Sequence, residues 1–369
     1  MGKCVMYIMG MDSTKYGGIE RFNVALASAL QRRGYDSVFV YESQPECSQF
    51  ISDLTNAGGT LLVCNSRKDK LKFCLRITRL ILRYRPVILH AHFTKARFFA
   101  LPIAYLLGIR KLFFTVHGEI GDLSSIKPHT RWWYEWASRK AKVITVSDQI
   151  RGQYLNNWPK ATVERIYLGV AAITGTFNNS RKLLGITDEQ TVILTIANFN
   201  HIKGLDVLCH AIARLSEQKA LNRNTHFYIV GQPQKEIQQL SELANQLGIS
   251  SYIHMEGISN QIATYLTASN LYVQPSRSEG LPLSLMEAAS VGLPLIGTKV
   301  GGNPEIIEHE YNGLLVDAEN PQQLAEAILS ILSQPILQKQ YGAGSMQKYK
   351  QSFAIETAVD NMITYYHLP

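Results

Sequence analysis

Short apolar runs rich in Val, Ile and Phe recur along this chain, separated by longer stretches in which apolar residues return every three or four positions. Runs of that length read as buried strands, and the longer period reads as amphipathic helix. The pattern predicts strands over 5–9, 37–41, 87–92, 112–117 and 143–146 in the first half of the chain. A helix is expected over about 19–33, ending at Gly34 as a left-handed cap would require. The stretch 171–179 is small, polar and without periodicity, and reads as a linker. A second series then follows, with strands expected over 192–197, 226–230, 252–256, 271–274 and 294–297, and helices over 205–218 and 235–247.

Alternation of this kind marks βαβ units and parallel sheets. The expected fold is therefore α/β, with two doubly wound domains facing one another across a cleft. Residues 1–172 form the first, 173–351 the second, and a C-terminal helix over about 352–369 packs back on the first. A length of 369 residues also exceeds what one core usually serves. Open parallel sheets bind ligands outside the carboxyl ends of their strands, so the loops that follow strands carry the functional reading.

Composition narrows the class. Hydrophobic residues make up 46% and charged residues 18%, with no low-complexity tract, which excludes a disordered chain. No apolar stretch has the length of a membrane span, and the opening run is too short for a signal peptide. Cys4, Cys47, Cys64, Cys74 and Cys209 are odd in number and lack metal-site spacing, so a reducing cytoplasmic setting is expected. The net charge of +8 is uneven, because residues 1–175 are strongly basic and the remainder is net acidic. An anionic partner is expected for the first half.

The most informative loop is PSRSEGLPLSLMEAASVG, in which seven residues separate Glu279 from Glu287. Pro282 suits the start of a helix, and Gly292 with Pro294 suits its end. Amides near Leu281, Leu283 and Ser284 would then lack partners in a preceding turn, and the positive end of the helix dipole would favour an anion such as diphosphate. Gly280 allows close backbone approach, and the two carboxylates can accept hydrogen bonds from sugar hydroxyls. Read alone, Glu287 is an ordinary first-turn acid and Glu279 a loop residue.

The segment EGLPLSLME followed by GLPLIGTKVGGNPEII resembles the E-x7-E segment and Gly-Gly loop of the family-4 retaining glycosyltransferases. GGIE at 17–20, HAHF at 90–93, TVHG at 115–118, YLGV at 167–170 and Lys203-Gly204 extend the resemblance over most of the chain. It implies a GT-B fold, a nucleoside diphosphate sugar held by the second domain and an acceptor held by the first. It further implies that Glu287 holds the ribose diol, that Glu279 approaches the transferred sugar, and that Lys203 neutralises the leaving diphosphate. His117 is placed near the donor sugar, without a general-base role.

Donor contacts are accordingly expected along Gly17, Gly18, Asn198, Lys203, Gly204, Arg277, Glu279, Gly280, Leu281, Pro282, Leu283, Ser284 and Glu287. His92, His117, Gly301 and Gly302 are expected on the acceptor side or in the cleft, with a weaker expectation for Glu305, while Glu20 lies inside the first helix and is read as supporting its start. The family pattern places an arginine where Asn198 stands. Asparagine supplies no charge, and Arg277 is the candidate to compensate. His90 and His92 lack an evident third ligand, no Asp-x-Asp occurs, and neither a metal nor another cofactor is expected.

Between Arg67 and Arg97 lie ten basic residues, among them Lys68, Lys70, Lys72, Arg76, Arg79, Arg83, Arg85 and Lys95, opposed by Asp69 alone. Such a run is usually a solvated helix face, yet its interleaved apolar residues also fit an anionic membrane surface. No nucleic-acid motif accompanies the charge. The expected protein is thus cytoplasmic, with a peripheral membrane position open to it, and takes a nucleotide sugar and a glycan or lipid-linked acceptor. Two rivals share these motifs: a non-hydrolysing sugar-nucleotide epimerase and a catalytically silent binding subunit.

Overall fold

The computed structural model describes residues 3–67, 69–118, 127–174, 179–232 and 236–368, without the side chains of residues 94–96 and 236. Lys68, Lys235, part of the expected linker (175–178) and the Lys95 side chain lie outside the described residues. Two compact units are present, one made of Met1–Ala171 with Ala354–Pro369 and the other of Ala172–Phe353.

Among the described residues of the first unit, seven strands form one sheet: β1 (Lys3–Ile8), β2 (Tyr35–Tyr41), β3 (Gly59–Val63), β4 (Ile88–Ala91), β5 (Lys111–Val116), β6 (Lys142–Thr145) and β7 (Val163–Arg165). Their order is β3-β2-β1-β4-β5-β6-β7, and every pair is parallel. Central strands are buried nearly end to end, as expected where helices cover both faces of a parallel sheet. Tyr7 stacks on Phe39 at 4.6 Å between ring centres in this core.

Among the described residues the second unit has six parallel strands: β8 (Thr191–Ile196), β9 (Thr225–Val230), β10 (Ile253–Glu256), β11 (Leu271–Gln274), β12 (Leu295–Thr298) and β13 (Gly313–Val316). Their order is β10-β9-β8-β11-β12-β13. The helices Leu205–Glu217 and Pro321–Leu332 cover this sheet with a stripe that includes Leu208, Ile212, Leu215, Leu324, Ile328 and Ile331.

In both sheets the order reverses beside the first strand, between β1 and β4 and between β8 and β11. Crossovers leave on opposite sides at such a point, so the loops at the carboxyl ends of these strands open a crevice. The loops after β8 and β11 carry Lys203 and Glu279; those after β1 and β4 carry Gly17 and His92.

The helix Gly18–Arg32 begins at Gly17, with Gly34 just past its end at φ +74°. Glu20 is buried and closes a capping box, accepting from the Gly17 amide at 3.0 Å and the Ser13 hydroxyl at 2.9 Å. At the other end of this unit the helix Ile355–Tyr365 packs against Gly18–Arg32.

Candidate functional site

Gly204 holds a left-handed conformation, φ +63°, between the turn His201–Lys203 and the helix Leu205–Glu217. A Cβ there would lie 2.0 Å from the Pro275 carbonyl oxygen. Only glycine therefore lets the loop after β8 close on the loop after β11, and that closure brings Lys203 Nζ to 2.7 Å from Glu279 Oε1. Glu279 is 8% exposed. Its Oε1 also accepts from Gln274 Nε2 and Ser276 Oγ, both at 2.6 Å. Taking a carboxylate out of water is tolerable only with such partners.

Behind these donors stands Tyr272, which the motif reading did not single out. Its hydroxyl accepts from the Ile196 amide at 3.3 Å and donates to Gln274 Oε1 at 2.9 Å. Burial pushes this phenol well up from its ordinary range; a hydrogen bond with Ser284 opposes the shift, while Glu279 and Glu287 add to it. Tyr272 thus lies where both glutamates are felt. Its position at the middle of β11, two residues before Gln274, was the available signal.

Glu287 lies one turn into the helix Leu283–Ser290, with Pro282 at the cap position. The first amides of that helix have no preceding turn to donate to, and Leu283 and Ser284 are half-buried there. The second glycine loop packs directly on this segment. A Cβ at Gly301, φ +55°, would lie 2.0 Å from the Glu279 carbonyl oxygen, and the Gly302 amide donates to the Gly280 carbonyl at 2.8 Å. Protein backbone occupies the space beside Gly204 and Gly301, so the requirement for glycine at these two positions arises from loop packing. Glu305 is half-buried in the short helix Asn303–Ile306.

Arg277 departs from its expected role. Its guanidinium holds Asp206 through two bonds of 2.7 Å, reaches the His201 carbonyl at 2.6 Å and pairs with Glu319. That fork is committed to tying β11's loop to its neighbours, and Arg277 is not a spare cation to replace the charge missing at Asn198. Asn198 itself is exposed.

In the first unit, His90, His92 and His117 form a row at the ends of β4 and β5. His92 Nδ1 and His117 Nε2 are 3.0 Å apart, and the His117 ring stacks on Phe93 at 4.4 Å. His90 is a core residue: it is fully buried and bonded to Tyr366 at 2.5 Å and to Thr115 at 2.7 Å. Burial lowers His90 and His117 to about 3, with further lowering of His90 by His117 and of His117 by Arg97. His92 is lowered as well, by burial and then by its two neighbours.

Arg97 also departs from expectation. It is 3% exposed, with its guanidinium 5.1–5.5 Å from the rings of Tyr134, Phe114 and Trp133. It does not belong to the basic surface.

Two family models match the chain. The one described as Glycosyltransferase Family 4 covers residues 16–172, and the one described as Glycosyl transferases group 1 covers residues 176–348. A D-inositol 3-phosphate glycosyltransferase of Thermobifida fusca (strain YX) is 26% identical over 237 residues, 61% of this chain and 54% of that protein. The chain spans about half the length of such curated relatives. Among solved structures, Anabaena HepE in complex with UDP superposes with a TM-score of 0.82 at 18% identity, covering 98% of this chain and 99% of that one. WaaG, a glycosyltransferase involved in lipopolysaccharide biosynthesis, gives 0.75 at 18% identity, covering 99% and 100%. At that identity both similarities concern the fold. The motifs, the two doubly wound sheets and the two family models together identify the chain as a member of the family-4 glycosyltransferases, with the GT-B fold.

Proposed function

We propose that the protein moves a glycosyl residue from a nucleoside diphosphate sugar to the hydroxyl of a glycan or lipid-linked acceptor, with retention at the anomeric carbon and without a metal. The observation that carries this reading is the Lys203–Glu279 pair at 2.7 Å, set beside the N-terminus of the helix that bears Glu287. An ammonium has three donors, so Lys203 can hold Glu279 and still face a phosphate oxygen. Positive charge from Lys203 and the helix amides would stabilise diphosphate as the anomeric C–O bond breaks. Glu279 would accept from hydroxyls of the transferred sugar, and Glu287 from the ribose diol.

The acceptor oxygen then bonds to the anomeric carbon, and its proton passes to the departing phosphate oxygen. Retention is carried over from the family. UDP is the first nucleotide to test, since HepE is described with UDP bound on the same fold. WaaG's involvement in lipopolysaccharide biosynthesis supports a role in cell-surface polysaccharide or glycolipid synthesis.

Thermal-shift titration with UDP- and GDP-sugars tests donor capture. A true donor at about 100 times its Kd stabilises the fold by about 2.7 kcal/mol. Glu287→Ala should abolish that shift, read against the variant's own ligand-free melting temperature. A full shift in the variant would remove the ribose assignment. NMR of the donor alone should show no epimer, and nucleoside diphosphate should accumulate only when acceptor is added; epimerisation without acceptor would overturn the transferase reading.

A further inference from the structure

The helix Lys70–Tyr84 carries two apolar faces. Phe73, Ile77 and Ile81 are buried and anchor it to its unit. Leu71, Leu75 and Leu82 are 71%, 51% and 56% exposed. At about 100° per residue, these three leucines fall within roughly 40° of one another, well away from the buried stripe. Lys72, Arg76, Arg79 and Arg83 are exposed along one flank of the leucine row, and the helix contains no acidic residue. Asp69 caps its start and accepts from the Lys72 amide at 3.0 Å.

The neighbouring helices continue the theme. Lys70–Tyr84 packs beside Thr94–Leu106, which packs beside Pro128–Lys140. These bear the exposed side chains Leu106, at 82%, and Trp132, at 67%.

A solvated basic face has no use for a row of exposed leucines, and a nucleic-acid backbone would meet the charges but not the leucines. An anionic lipid surface satisfies both, because headgroups pair with the basic flank while the apolar row enters the headgroup boundary. Exposed tryptophan is likewise favoured at that boundary. We propose that the first unit docks on anionic membrane through Lys70–Tyr84, with Leu71, Leu75 and Leu82 inserted and Lys72, Arg76, Arg79 and Arg83 on the headgroups. This inference stands independently of donor chemistry.

The test is flotation of the full chain with phosphatidylcholine vesicles, with and without about a third phosphatidylglycerol, at low and high salt. Wild type should float with the anionic vesicles alone and lose binding as salt rises. Arg76→Gln/Arg79→Gln/Arg83→Gln should lower the partition coefficient by at least roughly tenfold, since each charge near the surface contributes about 1 kcal/mol. Leu71→Ser/Leu75→Ser/Leu82→Ser should also release the protein, with an unchanged melting temperature and unchanged donor binding. Failure of wild type to float, or equal flotation of the leucine variant, would overturn the proposal. So would sedimentation showing that the leucine row joins two copies of the chain and is thereby covered.

Discussion

Glu279 owes its position in part to residues that no motif contains. Three donors converge on its Oε1, and one of them, Gln274, is itself held by the Tyr272 hydroxyl. Glu279, Glu287 and Lys203 stand out in the sequence through the family resemblance their segments carry, whereas Tyr272 looks like any buried strand aromatic. Arg277 and Arg97 were misread for a related reason: sequence shows a charge, but not whether Asp206 or a set of aromatic rings already holds it. Tyr272→Phe keeps the ring and removes the hydroxyl, leaving Gln274 Oε1 and the Ile196 amide without that partner. The expected cost is about 1–3 kcal/mol in urea denaturation. Gln274 should then swing, weakening donor binding measurably while the Glu287 contact remains. Wild-type donor affinity in Tyr272→Phe would show that the relay supports the fold without positioning Glu279.

At the scale of elements, every strand expected from the apolar runs is present within one or two residues. The three unpredicted strands, β3, β7 and β13, are all at sheet edges. An edge strand is covered less completely than a central one, and GTLLV, VER and GLLV are accordingly short and partly exposed. They lack the continuous apolar run that marks a central parallel strand. The ends of the central strands β4 and β5 lead to a different consequence, because they hold His90 and His92 as buried, and His117 as half-buried, neutral rings. Unfolded imidazoles take up a proton near pH 6.5, while His90 and His117 resist until about 3 in the fold. Between those values the unfolded chain binds more protons, so stability should fall as pH drops from about 6.5 towards 3 and level off below. Urea midpoints measured from pH 7.5 to 4 should show this slope. His117→Phe, which keeps the stack on Phe93, should flatten it; an unchanged slope would mean that other groups govern the acid limb.

On the scale of the whole molecule, the chain leaves the first unit at Ala171 and returns to it at Ala354. The returning segment completes that unit's core. Val170 and Ala354 form a parallel bridge, and a Cβ at Gly169 would lie 2.6 Å from Ile355 Cα, so the two strands of chain are in close contact there. Tyr366 is fully buried, 4.9 Å from the Phe113 ring and bonded to His90. Removing residues 354–369 would expose Phe113, leave His90 without its phenol partner and uncover the side of the helix Gly18–Arg32 that Ile355–Tyr365 protects. The second unit, by contrast, is continuous in sequence and has its own core. Truncation after Phe353 should therefore unfold the first unit selectively. Hydrogen exchange should show rapid labelling of amides in β1, β4 and β5 while β8 and β11 stay protected, and donor nucleotide should still raise the melting temperature of the remaining transition. Equal protection of both sheets after truncation would show that the C-terminal helix is an accessory to the first unit's core.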